Sequence, residues 1–339
     1  DLEPHTLPFP ESAKYRQKQL GDWLYVQGVR SFESMSNLPK AWREELNAKY
    51  QLNPFSRIQR FPSEDKSVRY LFTLQDGKQT EAVYMPYKDR KTVCLSSMVG
   101  CPAGCAFCAT GALGFGRNLS KAEILGQLMA IAWEEKFSPK DIRNVVMMGM
   151  GEALLNYDNA MGAIKTMIDP AALDMSARKI TVSTVGLPQR IRKLADEQLP
   201  LVLAVSLHAP DDDTRKQIIP TAQAYPVAEI MDSLRYWQDN GGRRVTVEYT
   251  MLNGINDHIW QADMLAALVK DLTIHVNLIP FNAWHNSGFK TSSREKIDSF
   301  QKVLEKADVS VSVRFSRGQD TGGACGQLSL QGAQALPTV

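Results

Sequence analysis

No stretch of the chain approaches the roughly 18 uninterrupted apolar residues of a membrane-spanning helix, so a bilayer-embedded protein is not expected. Neither sign of charge is in excess. With 39 basic and 37 acidic residues and a formal charge of +2, overall basicity cannot drive nucleic-acid binding, and only local patches can. The opening DLEPHTLPFPESAKYRQ lacks the basic front and apolar run of a secretory signal, which argues for a cytoplasmic protein. Its missing initial Met fits a trimmed N-terminus. Cysteine is scarce and odd in number: Cys94, Cys101, Cys105, Cys108 and Cys325, four of them within 15 residues. Such usage excludes a disulfide-stapled scaffold and points to metal or redox chemistry in a reducing compartment.

What is present is ordinary for a globular protein. The 339 residues, 44% hydrophobic, suffice for one large core with a smaller unit beside it. Residues 1–55 read as a helical accessory unit. A run from Ala13 to Gly28 places Leu20, Trp23, Leu24 and Val26 on one apolar side, and Pro39 opens a second helix through Leu46, with Ser36 and Asn37 available as caps. Its interspersed Lys and Arg fit a solvated face or an RNA-docking face. Residues 56–91 read as a linker and a hairpin, Val68–Leu74 and Glu81–Met85, turning at Asp76-Gly77.

Residues 92–330 alternate strand and helix, followed by a tail at 331–339. Strands are expected at Val93–Ser97, Asn144–Met148, Lys179–Ser183, Val202–Leu207, Val245–Thr250, Ile274–Ile279 and Val309–Arg314, with periodic helices between them. This α/β order predicts a partial barrel, (β/α)6, with a doubly wound sheet as the alternative. Polar and glycine residues crowd after the strand ends: Gly149 to Glu152, Ser183-Thr184, His208, Asn253 and Asn282. A barrel would gather them at one mouth.

The sharpest motif is Cys101-Pro-Ala-Gly-Cys105-Ala-Phe-Cys108. Three thiolates on a short loop can converge on one soft metal centre. A structural zinc would require a fourth ligand, Cys94 or a histidine. A [4Fe–4S] cluster normally takes four cysteines, so three would leave one iron open. With Phe107 before the last cysteine, the pattern resembles the radical SAM superfamily. That resemblance implies an open iron chelating S-adenosylmethionine, whose reductive cleavage yields a 5′-deoxyadenosyl radical. Cofactor contacts are then expected from Gly151 and Glu152, with the carboxylate on the methionine ammonium. Ser183, Ser206, Leu207, His208 and Asn282 follow at later strand ends; without a cluster nearby, Ser206 and His208 would read as strand-end caps.

Cys94 and Cys325 are not needed by such a cluster. Cys94, between Val93 and Leu95, fits a buried small hydrophobe. Cys325 lies in the glycine-rich Thr321-Gly-Gly-Ala-Cys-Gly-Gln-Leu, a segment expected to form a mobile loop with an exposed, reactive thiol. Over essentially its whole length the chain resembles the dual-methylating radical SAM rRNA methyltransferases of the RlmN/Cfr family. The matching stretches are KTVCLSSMVGCPAGCAFCATG, FGRNLSKAEILGQ, NVVMMGMGEALLN, ITVSTVG, LAVSLHAPDDDTRKQIIP, VTVEYTMLNGIND, NLIPFN and GGACGQL, with a start, YRQKQLGDWLYVQGVRSFESMSNLP, similar to the family's RNA-binding domain.

The resemblance implies that one S-adenosylmethionine methylates Cys325 and a second, cleaved to a radical, takes a hydrogen atom from that methyl group. The carbon radical adds to adenine as a protein–RNA thioether. After loss of an electron and of the ring proton, to Glu81 as general base, Cys94 attacks Cys325, and the resulting disulfide is later reduced. It further implies 23S rRNA as substrate, methylated at adenine C2, tRNA as a second substrate, an electron donor such as flavodoxin or ferredoxin, and a monomer. The competing readings are C8 methylation, a small-molecule radical enzyme and a non-catalytic zinc protein that binds RNA. A deaminase-like zinc site would need a His-x-Glu pair, which the chain lacks. The sequence departs from the family at Ala153, usually Pro, and over Ala283–Phe289. Around the hairpin, Arg57, Arg60, Lys66, Arg69, Lys88, Arg90 and Lys91 offer phosphate contacts, and Tyr84 and Tyr87 offer stacking surfaces.

Overall fold

The computed structural model describes residues 15–330 except Asn286. The start of the first expected helix at Ala13 and the tail 331–339 lie outside those residues. Helix α1 (Tyr15–Gly21) runs on as a widened turn, Asp22–Gln27, and stops at Gly28. There φ is +63°, and an added Cβ would sit 2.9 Å from Pro139. Leu20 and Leu24 are buried, but Val26 is exposed and Tyr25 is buried instead. A turn wider than 3.6 residues shifts the inward face, so the expected place of Val26 is not kept. Helix α2 (Lys40–Lys49) starts after Pro39 with no side-chain cap. Asn37 uses its Oδ1 to accept from Trp23 Nε1 at 2.6 Å, tying the two helices together.

Three strands follow: β1 (Phe55–Pro62), β2 (Val68–Leu74) and β3 (Gln79–Pro86), antiparallel in sequence order. The segment from residue 56, expected as linker, is therefore an edge strand. Its outward Ser, Arg and Gln hide the alternation in the sequence, while Phe55 stacks on Phe72 at 4.4 Å. Charged residues and a terminal Pro are the usual protection of such an edge.

The remaining elements are β4 (Lys91–Cys94), β5 (Met98–Gly100), α3 (Ala109–Ala112), β6 (Phe115–Asn118), α4 (Lys121–Glu134), β7 (Ile142–Met147), α5 (Tyr157–Ile168), β8 (Ile180–Thr184), α6 (Pro188–Asp196), β9 (Val202–Ser206), α7 (Asp212–Ile218), α8 (Val227–Asp239), β10 (Val245–Met251), α9 (Ile259–Val269), β11 (Ile274–Pro280), α10 (Arg294–Lys306) and β12 (Ser310–Val313). One sheet runs β1-β2-β3-β4-β7-β8-β9-β10-β11-β12, parallel from β4 onward. The strand order never reverses, so the switch point of a doubly wound sheet is absent among the described residues and the fold is a partial barrel. Six helical crossovers link the parallel strands, and a seventh strand, β12, closes the series.

The strand ends converge because the crossovers pack tightly. Helix α4 begins in a capping box, Ser120 with Glu123, and buries Gln127 against β4's continuation. Gln127 donates to the Ser96 carbonyl and accepts from the Ser96 N–H, both at 2.9 Å. Among the described residues no helix is long and apolar enough to cross a membrane.

Candidate active site

The cysteine loop is held open by the small antiparallel pair β5–β6, which the sequence reading did not anticipate. Cys101 N–H donates to the Gly114 carbonyl at 2.9 Å. Gly100 at φ +70° makes that approach possible, because a Cβ there would lie 1.9 Å from the same oxygen. Ala106 N–H reaches the Ile218 carbonyl at 2.9 Å, and Ala109 N–H reaches the Gly326 carbonyl at 2.8 Å. Trp284 Nε1 donates to the Phe107 carbonyl at 3.0 Å. The stretch 283–289, where the sequence departs from the family, thus braces the loop.

Cys101, Cys105 and Cys108 all border one cavity of about 170 Å³. Burial raises all three thiols, Cys101 up to about 12, so they stay protonated until a metal supplies positive charge. Among the described residues no three such side chains crowd around a single-ion point. The three thiols share the border of one cavity.

Gly151, Glu152, Ser183, Ser206, His208 and Asn282 line the same cavity. Gly151 has φ +103°, and a Cβ would lie 2.6 Å from Met98 Cβ. Glu152 is buried, with Oε2 accepting from Val185 N–H at 2.7 Å and Oε1 from Leu154 N–H at 3.0 Å. Desolvation still pushes its carboxyl up to about 7, which favours a cationic partner. His208 sits at φ +60° and accepts on Nδ1 from Thr250 N–H at 3.0 Å, leaving Nε2 as its donor while the ring is neutral. Burial, then the nearby Arg215, depresses it to about 3.

Leu207 does not line the cavity. Just past the end of β9, its side chain is buried in the core, and its carbonyl accepts from Arg215 Nε at 3.1 Å. Asn253 is exposed and holds Lys296 Nζ at 3.2 Å, away from the mouth.

A second cavity of about 110 Å³ borders both Cys94 and Cys325. Cys325 and Arg314 line both cavities and so lie between them. Burial, then Cys325, pushes Cys94 up to about 12. The loop of Cys325 is fastened where mobility was expected. Asn282 Nδ2 donates to the Cys325 carbonyl at 3.1 Å, Gln327 Nε2 to the Ala283 carbonyl at 2.7 Å, and Thr110 Oγ1 to the Leu328 carbonyl at 2.7 Å. Its glycines allow the turns, at φ +70° for Gly322 and +81° for Gly326, and neighbouring elements supply the bonds.

Glu81 lines neither cavity. It shares a face of β3 with Val83 and Met85, which do line the second one, but Leu330 N–H caps its Oε2 at 3.1 Å. Arg69, expected on the surface, is buried and paired with Glu81. Tyr84 is buried too and has no face to offer a base, whereas Tyr87 is exposed between Arg90 and Arg317. Arg60 is engaged by Glu135 at 2.7 Å.

Sequence reasoning also missed Glu248 and Arg314. Glu248 lines the first cavity, accepts from Asn277 Nδ2 at 3.1 Å on Oε1, and among the described residues has no hydrogen-bond partner for Oε2. A lone acidic residue inside an apolar strand run, VTVEYTM, was the available signal.

A partial barrel with three cysteines, a glycine–glutamate turn and polar strand ends on one cavity defines a radical SAM enzyme. The comparisons agree: a model of the Radical SAM superfamily matches residues 95–266, and one of the ribosomal RNA large subunit methyltransferase N-terminal domain matches residues 10–52. The chain is 56% identical over 98% of its length to a probable dual-specificity RNA methyltransferase RlmN of Thermus thermophilus, covering 92% of that protein. It is 55% identical, over 98% of its length and 96% of the relative's, to the corresponding protein of Deinococcus deserti. The crystal structure of a radical SAM methyltransferase from Sphaerobacter thermophilus superposes with a TM-score of 0.90 at 40% identity, over 94% of each chain. The chain belongs to the RlmN family of radical SAM RNA methyltransferases.

Proposed function

We propose that the protein methylates C2 of an adenine in 23S rRNA, and an adenine of tRNA as a second substrate, through a methyl group carried on Cys325. The carrying observation is that Cys325 borders both the cavity of the three clustered thiols and the cavity of Cys94. The residues fit a [4Fe–4S] cluster and S-adenosylmethionine. Three desolvated thiols supply all but one ligand, Glu152 favours a cation, and the unpartnered Glu248 Oε2 awaits a donor. When bound, these groups supply reductive carbon–sulfur cleavage and hence a carbon radical.

The chain's own groups do the rest. Cys325 holds the methyl as a thioether. After that methyl loses a hydrogen atom, its carbon bonds to the adenine ring, and the base is joined to Cys325 through a methylene. As one electron leaves the adduct for the single-electron carrier, Glu81 takes the ring proton, which requires Leu330 to move off its carboxylate. Cys94 as thiolate then attacks the Cys325 sulfur. The sulfur–methylene bond breaks, its electron pair stays on the methylene carbon, and a proton completes the methyl group. An external two-electron reductant reopens the Cys94–Cys325 disulfide, and a small carrier such as flavodoxin or ferredoxin, in a cytoplasmic setting, suits the single-electron steps.

The dual-specificity name of the relatives supports both RNA substrates. Anaerobic reconstitution should give brown protein with about four irons per chain. Mass spectrometry should find Cys325 methylated, and nucleoside analysis should find 2-methyladenine. An 8-methyl product would overturn the regiochemistry, and an unmethylated Cys325 in active enzyme would overturn the shuttle.

A further inference from the structure

Two strands fix the Glu81 carboxylate. In the β2–β3 register Leu71 faces Glu81 and Arg69 faces Val83, so Arg69 and Glu81 are diagonal neighbours on one face. Arg69 Nη1 pairs with Glu81 Oε1. The Nε of the same guanidinium donates to the Thr321 carbonyl at 2.6 Å, on the loop that carries Cys325. Arg69 is 5% exposed and Glu81 0%, and the Phe61 ring lies 4.3 Å from the guanidinium carbon.

We propose that Arg69 is a positioning residue for proton removal from the RNA adduct, one guanidinium holding the base and the Cys325 loop in common register. This rests on the assignment of Glu81 as the base. Arg69 from β2 is the charged group that acts on Glu81; the terminal segment adds the backbone N–H groups of Ser329 and Leu330, and Ser96 Oγ bonds only the Glu81 main-chain carbonyl. Burial raises the Glu81 carboxyl and Arg69 opposes that rise. Without the cation, a dry carboxylate holds its proton to higher pH and cannot serve as a base near neutrality. A purely structural ion pair would instead lower every step alike.

The test uses reconstituted holoenzyme with an rRNA fragment and three variants, Arg69→Met, Arg69→Lys and Glu81→Gln. For Arg69→Met, Cys325 should still be methylated, product should fall about 100-fold at neutral pH, and a denaturation-resistant protein–RNA adduct should accumulate. The acid limb of its pH profile should move to higher pH, and Arg69→Lys, which keeps a cation, should restore most of the rate. Should Arg69→Met fail to fold, Arg69→Gln, which keeps a donor but no charge, carries the same expectations. An unmoved acid limb without adduct, or an equal loss of Cys325 methylation and product, would overturn the inference. If Glu81→Gln accumulates adduct and the uncharged Arg69 variants do not, Arg69 has no positioning role. If Glu81→Gln itself leaves adduct turnover intact, it is the base assignment that fails.

Discussion

Gly151 and Glu152 are adjacent, yet their environments impose opposite demands. Gly151 must stay small: at φ +103° with Met98 Cβ 2.6 Å from its would-be Cβ, Gly151→Ala should cost about 1–3 kcal/mol, read by chemical denaturation. Glu152 must stay ionisable. Its carboxyl stands near 7 in the fold against an ordinary 4.5, so the folded state binds the proton more tightly than the unfolded one. Stability of the unliganded protein should therefore decrease as pH rises from about 4.5 to about 7 and then level off. Thermal melts across that window should show this slope, and Glu152→Gln should flatten it. Both residues were legible in the sequence through their position one strand beyond the cysteine loop, since a glycine–glutamate stretch by itself is usually just a turn. Arg69 was not, because a basic residue between hairpin neighbours looks like surface until the paired strand places Glu81 beside it.

At the scale of elements, periodicity carried what was readable and interruptions hid the rest. The β8, β9, β10 and β11 runs are apolar enough to be found within a residue or two of their ends. β1, β5 and β6 escaped notice because their polar or glycine-rich residues follow partner strands and hold no period of their own. Helix α4 was visible from its periodicity, but the function of its one buried amide was not. Gln127 satisfies both main-chain groups of Ser96, whose Oγ accepts from Met150 N–H at 2.6 Å and donates to the Glu81 carbonyl at 2.5 Å. One amide thus fixes the glycine turn and the strand of Glu81 together. Gln127→Leu should strand those buried groups and cost about 1–3 kcal/mol. In urea unfolding, a loss no larger than that of an exposed helical position such as Lys302 in α10 would show that Ser96 finds other partners.

Across the whole molecule, the first parallel strand and the segment after the last meet at one cavity. Cys94 ends β4 and Cys325 follows β12, so nearly the entire barrel lies between two thiols that border the same 110 Å³. Bonds to Asn282, Ala283, Thr110 and Ala109 keep the loop of Cys325 beside the cavity that Cys94 borders. A mild thiol oxidant should therefore form the Cys94–Cys325 bond in folded protein without loss of secondary structure. Peptide mapping should find that pair in preference to any pair drawn from Cys101, Cys105 and Cys108 once these hold a cluster. A crosslink spanning so long a loop stabilises by up to about 5 kcal/mol on the chain-entropy estimate, so the oxidised form should melt higher than the reduced one. Cys94→Ala should abolish both the bond and the rise in melting temperature. If the oxidised protein melted lower, closing the bond would have to distort the barrel end, and Cys94 could not resolve the adduct from where the fold places it.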